Sequence, residues 1–341
     1  MNIKNYSKIA DLIEKEFPKF RKTVKENFSL TILALLQSQN CSLPEIALNM
    51  SKINNAKHNT NLIRLSRFLQ STEFKTEDKE WRMFINFVFN LLEEGDFLTP
   101  NGFIPINVDY TSSTDKFLIL TASIPFFQRG IPIYFSMRNY PKKKNKINLI
   151  KMEQAFIKEL AHLLPKNYQY SIVADRGFGN KRFATLCQDN GFAYILRVAK
   201  SRSLKIDGKK EKLKNLEGDH DFPEAKLALD EWETRLVSKE AEGQKGKWYI
   251  ITSLKKAAYQ EIIHWYKKRF NIEKMFQDAK SSGFQMESSR ITKYSRFKNL
   301  LFCLFFAQML LMFIGNFIED NLSEIKKKFR LHIGIISAFC D

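Results

Sequence analysis

Through the first hundred residues, apolar side chains recur at helical spacing. They fall at Ile9, Leu12, Ile13 and Phe17, then from Leu30 to Leu36, then from Trp81 to Leu92. This pattern predicts an all-helical N-terminal domain over residues 1–98. Within it, Ser42-Leu-Pro-Glu45 has the form of a capping box, followed by a short helix from Glu45 to Met50 and a polar, Asn-rich turn. A second helix is expected over about Asn61 to Gln70, exposing Arg64 and Arg67. The pair reads as a DNA-binding helix-turn-helix, and equally as an ordinary helical hairpin.

From residue 100 the period becomes that of strands. Ile104 to Asp109, Phe117 to Ser123 and Ile131 to Met137 predict an antiparallel meander. Ile147 to Leu164 is helical in spacing. Tyr170 to Ala174 is a short buried-type strand that ends at Asp175-Arg-Gly-Phe-Gly, and a helix from Lys181 to Asp189 leads to a strand from Ala193 to Val198. Residues 199–246 are nearly half charged, with short alternating runs, which predicts a β-rich, solvent-facing insertion. A strand at Trp248 and a long helix from Ala257 to about Lys280 follow. The order β-β-β-α-β-α-β, then a helix, predicts an α/β fold: a ribonuclease H-like core with a mixed five-stranded sheet, made of residues 99–198 and 247–341 and carrying the insertion 199–246. Leu300 to Ile318 is a 19-residue apolar run broken only by Gln308, Gly315 and Asn316. Its length is at the lower edge for crossing a bilayer, and a helix buried on all sides has the same appearance. Its solitary place in a basic chain favours the buried helix, so no membrane partner is expected.

Composition narrows the function. Of 341 residues, 44% are hydrophobic and only 13 are Gly, so a large core can form and disorder is a poor reading. The 4 cysteines include no C-x-x-C pair, which excludes a disulfide scaffold and a thiolate zinc site of ordinary spacing. The opening residues carry acids and no apolar run, so no secretory leader is expected and the setting is the cytoplasm. The net charge of +18 is concentrated: residues 101–198 and 247–341 each carry +8, against +2 for residues 1–100 and zero for 199–246. If the two basic pieces fold together, their joint surface suits a polyanion, with nucleic acid first among the partners.

Three carboxylates stand out. In the expected topology Asp109 and Asp175 lie at the ends of adjacent strands, so both enter one crevice. A charge at the end of an apolar strand is costly unless it finds a partner, and a divalent cation is one; each Asp alone is also an ordinary turn residue. On the later helix, Tyr266, Arg269, Glu273 and Lys280 fall within about 60° of one another at about 100° per residue. That stripe holds one acid among bases. Trp265, Ile272, Met275, Phe276 and Ala279 form an adjoining face suited to packing on a sheet. Two hard divalent ions held by three such carboxylates suit phosphoryl transfer. Two magnesium ions, with manganese able to substitute, are therefore the expected cofactor.

At these residues the chain resembles the bacterial DDE transposases of the insertion-sequence-four family. Their signature Y-x2-R-x3-E-x6-K is matched in full from Tyr266 through Arg269 and Glu273 to Lys280. Val108-Asp109-Tyr-Thr111-Ser112 is similar to the family's first-Asp block, and Ala174-Asp175-Arg176-Gly177-Phe178 to its second. The resemblance covers roughly residues 100–318. It implies that Asp109, Asp175 and Glu273 are the metal-binding catalytic triad and that Tyr266, Arg269 and Lys280 grip DNA near the cleaved phosphate. It also implies that a Trp in the strand after the insertion, here Trp248, stacks on a flipped base; strand core is the plain alternative, and Trp232 is a rival. The implied activity is cut-and-paste transposition through a hairpin, by a homodimer on paired terminal inverted repeats. The alternatives are a DNA-binding protein or a nuclease derived from a transposase, without strand transfer.

Overall fold

The computed structural model describes residues 3–74, 77–95, 102–113, 116–140, 149–206, 209–227, 232–240 and 246–328. The boundary expected at residues 98/99 lies outside them. Five helices open the chain: α1 (Ile3–Glu16), α2 (Lys22–Ser38), α3 (Leu43–Asn54), α4 (His58–Gln70) and α5 (Asp78–Glu94). Helices α3 and α4 pack against each other across a short turn, and both are longer than the sequence suggested. The turn carries Asn55 in the left-handed region at φ 57° and is tied by the amides of Asn54 and Asn61, 3.0 Å apart. Ser42 is the N-cap of α3, but its side chain makes no capping bond; its own amide donates instead to Asn40 Oδ1 at 2.7 Å. A true capping box forms at α5, between Glu77 and Glu80.

The strands β1 (Phe103–Ser113), β2 (Phe117–Phe126) and β3 (Arg129–Asn139) form the expected meander, each longer than predicted. Then come α6 (Leu149–Leu163), β4 (Gln169–Ala174), α7 (Lys181–Asp189) and β5 (Ala193–Arg197). β1 pairs with β4, and β4 with β5, in parallel. The insertion supplies β6 (Ser203–Ile206), β7 (Lys209–Lys212), β8 (His220–Leu227) and β9 (Trp232–Glu240), and β10 (Lys247–Thr252) follows it.

The insertion is not set apart from the core sheet. β10 pairs with β5 on one edge and β9 on the other, so one ten-stranded sheet runs in the order β3-β2-β1-β4-β5-β10-β9-β8-β6-β7. The expectation of five strands is corrected to ten because β5 presents an open edge that β10 completes, and an unpaired edge in a core is costly. Arg235 locks the extension in place. Its guanidinium makes a two-pronged bond to Asp221 at 2.9 and 2.7 Å, and donates to the carbonyls of Leu254, Lys255 and Ala257, the approach to the next helix.

That next helix is interrupted: α8 (Tyr259–Lys268) gives way to α9 (Phe270–Gln277), and a π-helical turn spans Asp278–Ser282. The last element, α10 (Tyr294–Lys328), contains the apolar run. By length and composition Tyr294–Gly315 is able to cross a membrane, yet residues 299–310 are all buried within the fold. α10 packs against α2, α4 and β3. Phe302 touches the rings of Phe28, Phe74, Trp81 and Phe84, and Trp81 in turn meets Phe135 edge-on at 5.0 Å. The N-terminal helices and the sheet thus share one aromatic core. Within it, Asn299 donates to the carbonyls of Leu69 and Phe74, and Gln308 Nε2 to that of Met275 at 3.2 Å.

Candidate active site

The parallel pairing of β1 with β4 ends at Val108 opposite Ala174. Asp109 and Asp175 are the next residues on those two adjacent strands, and at equal register they leave the sheet on the same face. β1 continues past Asp109 as a ribbon with β2, where Asp109 lies opposite Thr121. Asp109 is therefore inside its strand, and at an end only with respect to β4. Each carboxylate is oriented by a backbone amide: Asp109 Oδ1 accepts from Tyr110 N and Asp175 Oδ1 from Gly177 N, both at 2.8 Å. The loop after Asp175 is pressed against the end of β5. A Cβ on Gly179 would stand 1.9 Å from the Arg197 carbonyl oxygen, so only glycine fits there.

Glu273 reaches the same crevice from α9. Regular hydrogen bonding lapses at Arg269, where the amides of Arg269 and Ile272 bond three residues back. The Lys268 carbonyl is taken instead by Asn107 Nδ2 at 2.9 Å. Asn107 lies two residues before Asp109 on β1, so the strand that carries the first aspartate also seats the helix. A side chain entering the helical ladder is a recognised cause of such a break. A second anchor is Asn271, which donates to the Phe127 carbonyl at 3.0 Å.

Arg269 occupies the middle of the site. Its Nη2 is 2.6 Å from Glu273 Oε1 and its Nη1 3.7 Å from Asp109 Oδ2. Its guanidinium lies 4.4 Å from the centre of the Phe270 ring and 5.8 Å from that of Tyr266. Asp109 is pushed up to about 6, chiefly by burial and further by the carboxylates of Asp175 and Glu273; the Tyr110 amide and Arg269 act against this. The crevice holds an excess of negative charge.

The remaining predicted residues fall less uniformly. Tyr266 is fully buried, its hydroxyl facing Arg269 without a well-formed hydrogen bond, so its phenol backs the arginine and is closed to a phosphate in this conformation. Trp248 is 5% exposed and packs edge-on against Tyr266 at 5.1 Å; it is strand core, with no face open to a base. Trp232 is likewise buried. Lys280 is half-buried in the π-helical turn that follows α9. The polar stripe drawn through Tyr266, Arg269, Glu273 and Lys280 is thus exposed only in part. Arg64 and Arg67 are exposed on α4, away from the carboxylates in sequence and element. Sequence reasoning missed Asn107 and Arg235, whose roles depend on partners some 161 and about 20 residues away.

The model of the family described as "Transposase DDE domain" matches residues 131–310. This chain belongs to the DDE transposase family. The matched segment includes Asp175 and the whole Tyr266–Lys280 signature, and begins after Asp109. The chain matches no curated protein at a significant level. A DDE domain implies a ribonuclease H-like fold and a nuclease or transposase activity on DNA, generally dependent on divalent metal. Among the described residues of this DDE domain, no three His, Cys, Asp or Glu side chains stand together as a ready metal-ligand set. Arg269 lies between two of the three acids, Asp109 and Glu273. The donor set nonetheless fits a hard cation: oxygen ligands, excess negative charge, and an aspartate whose ionised form is held at a cost.

Proposed function

We propose that this DDE transposase performs cut-and-paste transposition of an insertion sequence, in the manner of the insertion-sequence-four family. The observation that carries the reading is the meeting of Asp109, Glu273 and Arg269 across β1 and α9, with Asp175 on the neighbouring strand close enough to raise Asp109. Asp109, Asp175 and Glu273 would hold divalent cations, magnesium by preference, which supply activation of the attacking oxygen and stabilisation of the leaving one. The backbone amides of Tyr110 and Gly177 fix the aim of the two aspartates. Ionised Asp109 is the binding-competent form. Lys280 and the net positive charge of residues 101–198 and 247–341 attract the phosphate backbone, and Arg64 and Arg67, exposed on α4, suit contact with a DNA groove.

Hydrolysis of one strand frees a 3′-hydroxyl, which attacks the opposite strand and leaves a hairpin on the element end. Hairpin opening and joining to target DNA complete the cycle. A homodimer on paired inverted repeats, acting in the cytoplasm at the nucleoid, is part of the same reading. The test uses inverted repeats found in the DNA flanking the gene. The full chain with magnesium is expected to nick, hairpin and join such ends, and Glu273→Gln and Asp175→Asn to abolish every step. Cleavage retained by Glu273→Gln sinks the reading. Cleavage without joining of pre-cut ends to target DNA leaves a nuclease in its place.

A further inference from the structure

Arg269 stands between two of the three acids, Asp109 and Glu273. It is 4% exposed, so in this conformation it presents no surface to a DNA phosphate. Two of its nitrogens face Glu273 and Asp109, while its Nε has no hydrogen-bond partner. A buried guanidinium that leaves a donor unmet is retained at a cost. It is backed by the rings of Phe270 and Tyr266 and sits where regular helical hydrogen bonding lapses.

We infer that Arg269 is an internal counterion that stands in the place of the metal, holding Asp109 and Glu273 toward one another, and that releases them when divalent cations bind. The inference rests on the reading of these acids as metal ligands. It explains why the acids do not form a ready cage, and why a cationic residue faces inward at a site that must bind cations. It also couples two ligands. A metal ion that takes the carboxylates frees the guanidinium for a phosphate. By reciprocity, a phosphate that takes the guanidinium frees the carboxylates and tightens metal binding. The site then holds metal weakly until DNA is present, which restrains idle hydrolysis. Arg269 is thus a positioning residue with a gating role.

The test is a titration of the metal-free full chain with Mn2+, read by electron paramagnetic resonance of the free ion, in the absence of DNA. Arg269→Gln is expected to bind Mn2+ about tenfold more tightly than the wild type, the ratio matching one charge-assisted hydrogen bond given up. In chelator the same variant is expected to unfold at a lower temperature, and Mn2+ to raise that temperature more than in the wild type. Arg269→Lys, which keeps the charge, is expected to stay near the wild-type affinity. A merely structural arginine would lose stability and metal together, so equal or weaker Mn2+ binding by a folded Arg269→Gln overturns the inference. The wild type supplies an arm free of any folding defect: a short random-sequence DNA duplex should tighten its Mn2+ binding, and indifference to the duplex likewise overturns the coupling. If the wild type binds no Mn2+ and Asp109→Asn changes nothing, the metal-ligand reading fails as well. Intact wild-type binding with an unmoved Arg269→Gln defeats this inference alone.

Discussion

Asp109 exposes a conflict between stability and function that one substitution measures. Its side chain is 22% exposed and its carboxyl group is pushed up to about 6 from an ordinary 3.8. The folded chain therefore binds more protons than the unfolded chain between those two values. Stability of the metal-free protein falls as pH rises through that window, and the loss is complete above about pH 6. The difference corresponds to about 3 kcal/mol. Asn mimics the neutral acid in shape and keeps an oxygen for the Tyr110 amide. Asp109→Asn is therefore expected to stabilise the metal-free chain by up to about 3 kcal/mol at pH 8 and by almost nothing at pH 4. With an unfolding entropy of about 2.1 cal/mol/K per residue, that is about 4 °C in Tm if the chain unfolds as one unit. The assay is thermal unfolding in chelator at a series of pH values, wild type against variant. A variant less stable than the wild type at pH 8 would refute the reasoning, since it would mean that the Arg269 attraction outweighs burial and like-charge repulsion.

Three further outcomes follow from the same contacts. Asn107→Ala leaves the Lys268 carbonyl buried without its donor and should cost about 1–3 kcal/mol in urea unfolding, with faster amide exchange around residues 266–272 as its local mark. Arg235→Ala orphans Asp221 and three carbonyls at once; a loss of about 3–5 kcal/mol is expected, with exchange rising over residues 253–258 where the insertion meets the start of α8. Arg64→Ala with Arg67→Ala should leave stability within about 0.5 kcal/mol. The same pair should lower the salt dependence of DNA binding by about two phosphate contacts, read by fluorescence anisotropy over a range of salt concentrations.

Much of the fold is legible in the residues. The helices of the first hundred positions, the meander, α7, and the burial of Leu300 to Leu310 within the longer apolar run all follow from apolar periodicity, because each element must bury one face wherever its neighbours stand. The Asp175 block is legible for a similar reason: a charge closing an apolar strand, followed by Gly177 and Gly179, marks a strand end with a purpose, whereas Asp109 lies inside β1, which runs on to Ser113. The projection of Tyr266, Arg269 and Glu273 onto one face agrees with their contacts, but it does not foresee that Tyr266 and Arg269 are buried. It assumes an unbroken α-helix, whereas Asn107 from β1 takes the Lys268 carbonyl and a π-helical turn begins at Asp278. The ranking of exposure also misleads. Tyr266 and Trp248 look like ligand-facing aromatics, but each covers the other.

Which acids and which cations the site would contain was decided by the chain itself, since residue type and spacing carry the chemistry of oxygen donors and phosphate partners. Their mutual arrangement was decided only in three dimensions. The insertion joins the core sheet because β10 fills the edge of β5 and offers its own outer edge to β9, and Arg269 lies between Asp109 and Glu273 because burial concentrates their charge and a nearby cation lowers its cost. The β10–β5 pairing and the Arg269–Asp109 contact join segments distant in sequence, and no local pattern records them.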